Sequence, residues 1–524
     1  MVQKTLTTSK TQAEHFAKEL RSVSVSEFFS KNRHLLGFDN PSRALLMTVK
    51  EAVDNALDAC YDLRIPPEIK VELKQISEKR FSVSVEDNGP GIVREQVPNV
   101  FGRLLYGSKF HRLKQNRGSQ GIGISAVSLY SQLTTGKPTR ITSKISPRKP
   151  AHYFELILDT KQNEPKIVKD KETEWENKKT GTKVEIELIG KYQKGKQSVD
   201  EYIKQVAIVN PAAQITYITP EKKTLEFPRV TTTLPVEPKE IKPHPHGVEL
   251  GNLIRMLHDT KYPTVKAFLQ NEFSRLSSQK AKEICQTAKI YEKSRPKTIV
   301  HKDVENLYST IQETKFKAPP TDCLSPIGQK LLEKGLKSEV SADFYATVTR
   351  PPAVYRGNPF QIEVGIAYGG DIDREGTIKL LRFANTVPLL YQQGACAITK
   401  AVSTTNWKSY GLQQSNGNLP AGPVILIVHM ASVWVPFTSE AKDAVASYNE
   451  ITKEIKLALQ ECGRQLGIYI RRKVKSKERE QRISLFENYI PELASSLSHL
   501  TGEKKEKLII NLSKTLEKEL PRIK

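Results

Sequence analysis

Glu51 and Asn55 stand four residues apart in "EAVDNALDA" and so share a face of any helix containing them. A carboxylate there can take a proton from water, and an amide oxygen can ligate a hard cation such as magnesium. A solvated helix face would carry the same pair. In "EDNGPGI", Asp87 ends an alternating run and is followed by Gly89 and Gly91 around Pro90, with Ile92 next. Backbone free of Cβ atoms lets a flat ligand come close, and the Asp87 carboxylate is an acceptor for an exocyclic amine such as adenine N6. A tight Asn-Gly, Pro-Gly reversal has the same composition. The third element, "RGSQGIGIS", runs from Arg117 through Gly118, Ser119, Gln120, Gly121, Ile122, Gly123 and Ile124 into the apolar-periodic "ISAVSLYSQL". A glycine-rich loop entering a helix N-terminus offers free N–H groups to phosphate oxygens, and Ser108, Lys109 and Arg117 add donors and positive charge. Its spacing is neither the dinucleotide fingerprint nor the phosphate loop that ends in Lys-Ser or Lys-Thr. A loop simply packed on a helix accounts for it equally well.

These groups need elements to hold them. "PSRALLMTVKEAVDNALDACYDL" places Leu45, Leu46, Val49, Val53, Ala56, Leu57 and Cys60 at helical spacings after a Pro-Ser start, which predicts one long amphipathic helix. "EIKVELKQI" and "RFSVSVEDN" alternate around a short polar turn and predict paired strands. "AHYFELILDT" and "GTKVEIELIG" extend a mixed sheet to about residue 220, giving an α+β first domain. "FPRVTTTLPVEPKEIKPHPHG" lacks periodicity and reads as a linker; His244 and His246 within it have no further metal ligands nearby, so they read as linker surface. A helical stretch follows, interrupted at Lys261-Tyr262-Pro263 and Ser277-Ser278, and then strand-like runs of a third, α/β domain. From "SEAKDAVASYNEITKEIKLALQECGRQL" onward the pattern is helical, which puts Lys442 at a helix start, where a cation is unfavourable unless an anion shares the site.

The chain has 524 residues and a formal net charge of +23, too long for one core and basic enough to favour phosphate-rich partners, nucleic acid first. No run of eighteen apolar residues and no signal-peptide pattern occurs, and the five scattered cysteines suggest neither disulfides nor zinc, so a cytoplasmic protein with free thiols is expected. Asp371, Asp373 and Glu375 in "GGDIDREG" lack a second acidic segment and read as a solvated turn rather than a nuclease metal site.

Taken together, the helix with Glu51 and Asn55, the strand ending in Asp87 and the glycine-rich loop resemble, over about residues 30–220, the GHKL ATPases. That superfamily shares the Bergerat fold among gyrase B-type topoisomerases, MutL, Hsp90 and histidine kinases. The resemblance implies ATP and Mg²⁺ as ligands, Glu51 as general base, Asn55 as the magnesium ligand, Asp87 as the adenine reader and the loop from Gly118 to Ile124 as a lid over the phosphates. Thr182 in "KKTGTKVEIEL" matches the family's threonine near the adenine edge.

Further strings, "TRPPAVYRGNPFQIEVGIAYGG", "LRFANTVPLLYQQGACAIT" and "NWKSYGL", resemble the B subunits of type IIB DNA topoisomerases over nearly the whole chain, in a form without the C-terminal immunoglobulin-like extension of some members. The implied organisation is an N-terminal arm (1–25) that exchanges between protomers, an ATPase domain (26–227), a helix-two-turn-helix insert (228–305), a transducer domain (306–470) and a C-terminal helical tail (471–524). The resemblance further implies that Lys442 reaches the ATP γ-phosphate from the transducer, that nucleotide closes a self-dimer, that a separate A subunit cuts the DNA in an A2B2 complex, and an archaeal source. Lys261, Lys280 and Lys282 of the insert, with Trp407, Lys408 and Tyr410, are candidates for contact with double-stranded DNA, although Trp and Tyr more often pack in a core. A MutL-type clamp, closing on ATP without strand passage, is the alternative.

Overall fold

The computed structural model describes residues 22–109, 112–118, 121–439 and 441–519. Most of the expected N-terminal arm, together with Ser119 and Gln120, lies outside them. Among the described residues no helix is long and apolar enough to cross a membrane.

The helix predicted around Glu51 spans Pro41–Asp62. Asn40 caps it by accepting the Arg43 N–H, and Pro41 occupies the first turn, where its missing N–H costs nothing. Its apolar face, from Ala44 to Cys60, is buried on a mixed sheet of eight strands. These are β1 (Glu68–Ser77), β2 (Arg80–Glu86), β3 (Thr139–Lys144), β4 (Ala151–Asp159), β5 (Glu164–Thr173), β6 (Gly181–Ile189), β7 (Gln214–Ile218) and β8 (Thr224–Phe227), in the spatial order β5-β4-β3-β6-β2-β1-β7-β8. The β1–β2 hairpin is antiparallel as its alternation predicts, while β7 joins β1 in parallel. Helices Gly123–Thr135 and Val199–Val209 complete the helical layer over the same core. The edge strand β5 is Lys-rich and mostly exposed, a composition that discourages pairing with another chain.

The segment after β8 has no regular structure before a short 3-10 helix at Pro245–Gly247 but is tied down: the Ile241 N–H donates to Leu113 O and the Lys239 N–H to Asp322 O. His244 and His246 are not on a free linker surface. Their Nε2 atoms meet Lys317 O (3.2 Å) and Thr314 O (2.9 Å), and both rings pack edge-on to Phe316, fastening the insert to its own C-terminal end. The insert comprises helices Leu250–Asp259, Val265–Glu272, Ser278–Thr287 and His301–Glu313 around a separate apolar core. The last of these helices crosses the expected boundary at 305, because Val304, Leu307 and Ile311 face that core.

The third domain is a second sheet, with β10 (Ala353–Tyr355), β11 (Asn358–Tyr368), β14 (Val424–Ser432), β12 (Lys379–Ala384) and β13 (Val387–Pro388) in that order, and β9 (Phe344–Thr349) also on β11. One helix of 53 residues, Asn449–Thr501, packs its first turns on this sheet and continues well past the expected boundary at 470. A further cluster joins the domains, with Ile208 and Val209 of the first domain's helical layer buried against Leu332, Leu336, Phe383 and Ile427. The segment carrying Asp371, Asp373 and Glu375 is exposed, and no metal-capable group of three or more acidic, His or Cys side chains occurs among the described residues.

Candidate active site

A cavity of about 600 Å³ opens between helix Pro41–Asp62, the end of β2 and the start of helix Gly123–Thr135. Glu51, Asn55, Asp87, Gly91, Ile92, Ser108, Lys109, Gly118, Gly121, Ile122, Gly123, Ile124, Thr182 and Lys442 all line it. Phe38, Met47, Val100 and Phe101 supply an apolar wall that no motif in the sequence signals. Ligand cavities of this size, mostly apolar with a few polar groups, suit nucleotides and similar small molecules.

The Asp87 turn is built by its own chain. Oδ1 of Asp87 accepts the Gly89 N–H (2.8 Å) and the Thr182 N–H (3.1 Å), leaving Oδ2 for a ligand. Burial pushes its carboxyl up to about 6, against those two donors and Lys178. Asn88 pins the turn to the start of β1, accepting from Glu68 N (2.8 Å) and donating to Pro66 O (3.1 Å). Gly91 has φ +74°, and a Cβ there would lie 2.3 Å from Lys144 O. Its glycine is therefore demanded by the neighbouring strand rather than by a flat ligand. Gly89 does not line the cavity and serves as donor to Asp87.

Glu51 faces the first turn of helix Gly123–Thr135 so closely that a Cβ on Gly123 would fall 1.9 Å from its Oε2. Lys50 bonds its Oε1 at 3.1 Å and lies 3.5 Å from Asp54. Burial opposes the Glu51 charge, but Lys50 and Lys442 more than offset it, so the carboxyl is held below its ordinary range. It is thus ionised and able to accept a proton. Asn55, one turn on, is exposed to the cavity.

Arg117 is not available to a phosphate here. Its guanidinium bonds Asp58 (3.0 Å) and Asn210 (2.7 Å) and covers the Tyr61 ring, because two buried acceptors on neighbouring helices capture it first. Lys109 lines the cavity yet is held by Asp58 at 2.6 Å.

Lys442 does reach the cavity, but not from a helix start. The helix begins seven residues later, at Asn449, since the backbone at 444–446 is committed elsewhere: Thr438 N donates to Ala444 O, Ala397 N to Val445 O and Ala446 N to Pro436 O. Lys442 sits instead in a closed loop at φ +55°, a left-handed conformation uncommon for a residue with a side chain. Its Nζ donates to Arg117 O at 3.1 Å, and burial pulls it below the ordinary lysine value while Glu51 pulls the other way. The third domain grips the loop before the glycines at two more points that sequence reasoning missed. Gln115 exchanges both amide bonds with Ser325 (2.9 and 2.6 Å), and Asn385 Nδ2 donates to Asn116 O (2.9 Å). Asn385 and Thr386 form a hairpin tip with positive φ, a turn signal present in "FANTVP".

Of the DNA candidates, Trp407 is fully buried, with its Nε1 donating to Val402 O, and Tyr410 packs over Gly463 of the long helix; both serve the core rather than a nucleic acid. Lys408, Lys261 and Lys282 are exposed, and Lys280 pairs with Glu283.

Comparison with known proteins separates the two sheets. Residues 40–188 match the family "Histidine kinase-, DNA gyrase B-, and HSP90-like ATPase", and residues 319–482 match "Topoisomerase VI B subunit, transducer". The B subunit of type 2 DNA topoisomerase 6 from Methanococcoides burtonii is 48% identical over 512 residues, spanning 98% of this chain and 80% of that protein. The chain belongs to the topoisomerase VI B-subunit family. Other members, from Archaeoglobus fulgidus (50% identical; 86% of this chain, 75% of that protein) and Pyrococcus furiosus (38%; 95% and 94%), agree. Topoisomerase VI B is an ATP-dependent type II topoisomerase subunit, and its ATPase and transducer domains are the two sheets described above. The transducer match takes the place of the MutL-type alternative.

Proposed function

We propose that the cavity binds ATP and hydrolyses it to close a dimer gate, in a complex with a DNA-cleaving A subunit that passes one duplex through another. The observation that carries this is Lys442, a transducer residue, in the same cavity as Glu51 and Asn55 of the ATPase domain. In this reading the Asp87 Oδ2 accepts the adenine amine, with Thr182 at the base edge and the apolar wall excluding water. Glu51 takes the proton of the attacking water, and its ionised state suits it to do so. Lys442 compensates charge on the terminal phosphate and exchanges its present bond to Arg117 O for that contact. The chain from Gly118 to Gly123 wraps the phosphates with backbone N–H groups.

Magnesium fits the donor set. An exposed amide oxygen on Asn55, with no acidic cluster among the described residues, suits a cation held chiefly by substrate oxygens. When bound, it would neutralise phosphate charge beside Asn55.

Because Lys442 bonds Arg117 O, and Ser325 and Asn385 hold Gln115 and Asn116, the segment leading into the lid is tied directly to the transducer. Nucleotide state would thus set the angle between the domains, and the 53-residue helix would carry that angle toward the A subunit. Lys408, Lys261, Lys280 and Lys282 would contribute non-specific, salt-dependent contacts to double-stranded DNA. Such a complex would work in the cytoplasm, at the nucleoid. The test is Glu51→Ala: ATP turnover should vanish while nucleotide binding and ATP-dependent dimerisation survive. Robust residual hydrolysis would remove Glu51 as the general base.

A further inference from the structure

Arg43 lies on the helix that carries Glu51, eight residues upstream and about 12 Å along the axis. Neither Arg43 nor Asp443 lines the cavity. Yet Arg43 Nη2 bonds Asp443 Oδ2 at 2.5 Å across the domain boundary, and its Nη1 bonds Asp39 at 2.8 Å. The guanidinium also lies 4.7 Å from the centre of the Tyr391 ring, another third-domain residue. The pair is nearly dry, with side-chain exposures of 13% and 5%.

Asp443 directly follows Lys442 in the closed loop. The left-handed backbone at Lys442 sends the two neighbouring side chains to different destinations, the lysine into the cavity and the aspartate to Arg43. Helix and loop therefore meet directly through the Arg43–Asp443 ion pair, while Glu51 and Lys442, of opposite charge, line the same cavity. Lys50, on the same helix, also attracts Asp443, so the aspartate is favoured on this side of the helix by two cations. A bidentate-capable guanidinium, already oriented by Asp39 and an aromatic face, is well suited to fix such a contact.

We propose that Arg43 is a positioning residue: by holding Asp443 it docks the Lys442 loop on the nucleotide-carrying helix and so sets whether Lys442 reaches the terminal phosphate. This rests on the reading of Lys442 given above. Changing either partner removes the buried, hydrogen-bonded ion pair that ties loop to helix, so the loop should leave its docked position for most of the time. Nucleotide binding, made by groups Arg43 does not touch, should change little.

The experiment measures ATP turnover by the full chain for Arg43→Gln, Asp443→Asn, Lys442→Ala and their pairwise combinations. Each of the first two should lower kcat about tenfold or more with KM within about twofold. Combining them should cost no more than either alone, and neither should lower turnover further in the Lys442→Ala background. Arg43→Lys, which keeps the charge, should recover part of the loss. Asp443→Asn preserves shape and guards against a misfolded arginine variant, with a thermal melt run on each. A purely structural pair would move the melt but not the split between kcat and KM. Wild-type kcat in both single variants, or a full further loss on top of Lys442→Ala, would overturn the proposal. Unchanged turnover in Lys442→Ala itself would instead overturn the role of Lys442, a separate result visible in the same series.

Discussion

Gly123→Ala is a one-methyl perturbation with a steep expected effect. The added Cβ would stand 1.9 Å from Glu51 Oε2, 2.8 Å from its Cδ and 3.3 Å from its Cγ, so the carboxylate must retreat by about 1.5 Å to regain ordinary contact. The fold has no reason to suffer: the obstacle is the far end of a flexible side chain, Gly123 is not among the positive-φ residues, and alanine is favoured over glycine in a helix by about 0.5–1 kcal/mol. Chemistry should suffer, because displacing a general base by roughly 1 Å costs on the order of 10²-fold, or about 2.7 kcal/mol of barrier. The expected result is therefore a variant as stable as the parent, binding nucleotide, and turning ATP over about a hundredfold more slowly. Steady-state hydrolysis, a fluorescent-nucleotide titration and a thermal melt measure the three quantities. Wild-type kcat with an unperturbed melt would refute the argument that Glu51 works from the place it occupies here.

Other outcomes follow from the same contacts. Nucleotide affinity should weaken below about pH 6, because Asp87 must be ionised to accept the adenine amine and burial has raised its carboxyl to about 6. Titrating ATP beside the triphosphate of purine riboside, which lacks that amine, cancels the phosphate's own protonation; an affinity ratio constant from pH 5 to 7 would contradict it. Glu363 is fully buried and ionised, since burial is outweighed by His429 and by hydrogen bonds from Gly328, Thr349 and Ile327. Its folded value is depressed, so its stabilisation is present above the ordinary value of 4.5 and is lost as pH falls through the folded value. Glu363→Ala should cost about 3–5 kcal/mol in urea denaturation at neutral pH and flatten the acid limb. Trp407→Ala should destabilise the transducer by about 3–5 kcal/mol, whereas Lys408→Ala should leave stability alone and lower the salt slope of DNA binding by about one unit. Equal DNA-binding losses in two equally stable variants would show the tryptophan to be at the surface.

Local pattern made much of the fold legible. The Pro-Ser start and apolar stripe of Pro41–Asp62, and the alternation of β1, β2, β4 and β6, depend on residues close in sequence, so the chain alone determined them. The same holds for Glu51 beside Asn55 and for Asp87 at a strand end followed by a turn. The start of the long helix was not legible: "SEAKDAVASYN" has helical composition, but Thr438, Ala397 and Pro436 claim the backbone groups that a helix would have used. Nor was the fate of Arg117, whose charge suits a phosphate until Asp58 and Asn210, distant in sequence, are brought beside it. The two linker histidines turned inward for a similar reason, finding backbone carbonyls where solvent was expected, and Trp407 took the core place that its residue type favours over DNA contact. Sequence thus determined which groups could do chemistry, because type and spacing are local. Only tertiary structure decided which remain free to do it and which loop delivers the lysine, because a buried charge or hydrogen-bonding group takes whichever partner the packing provides.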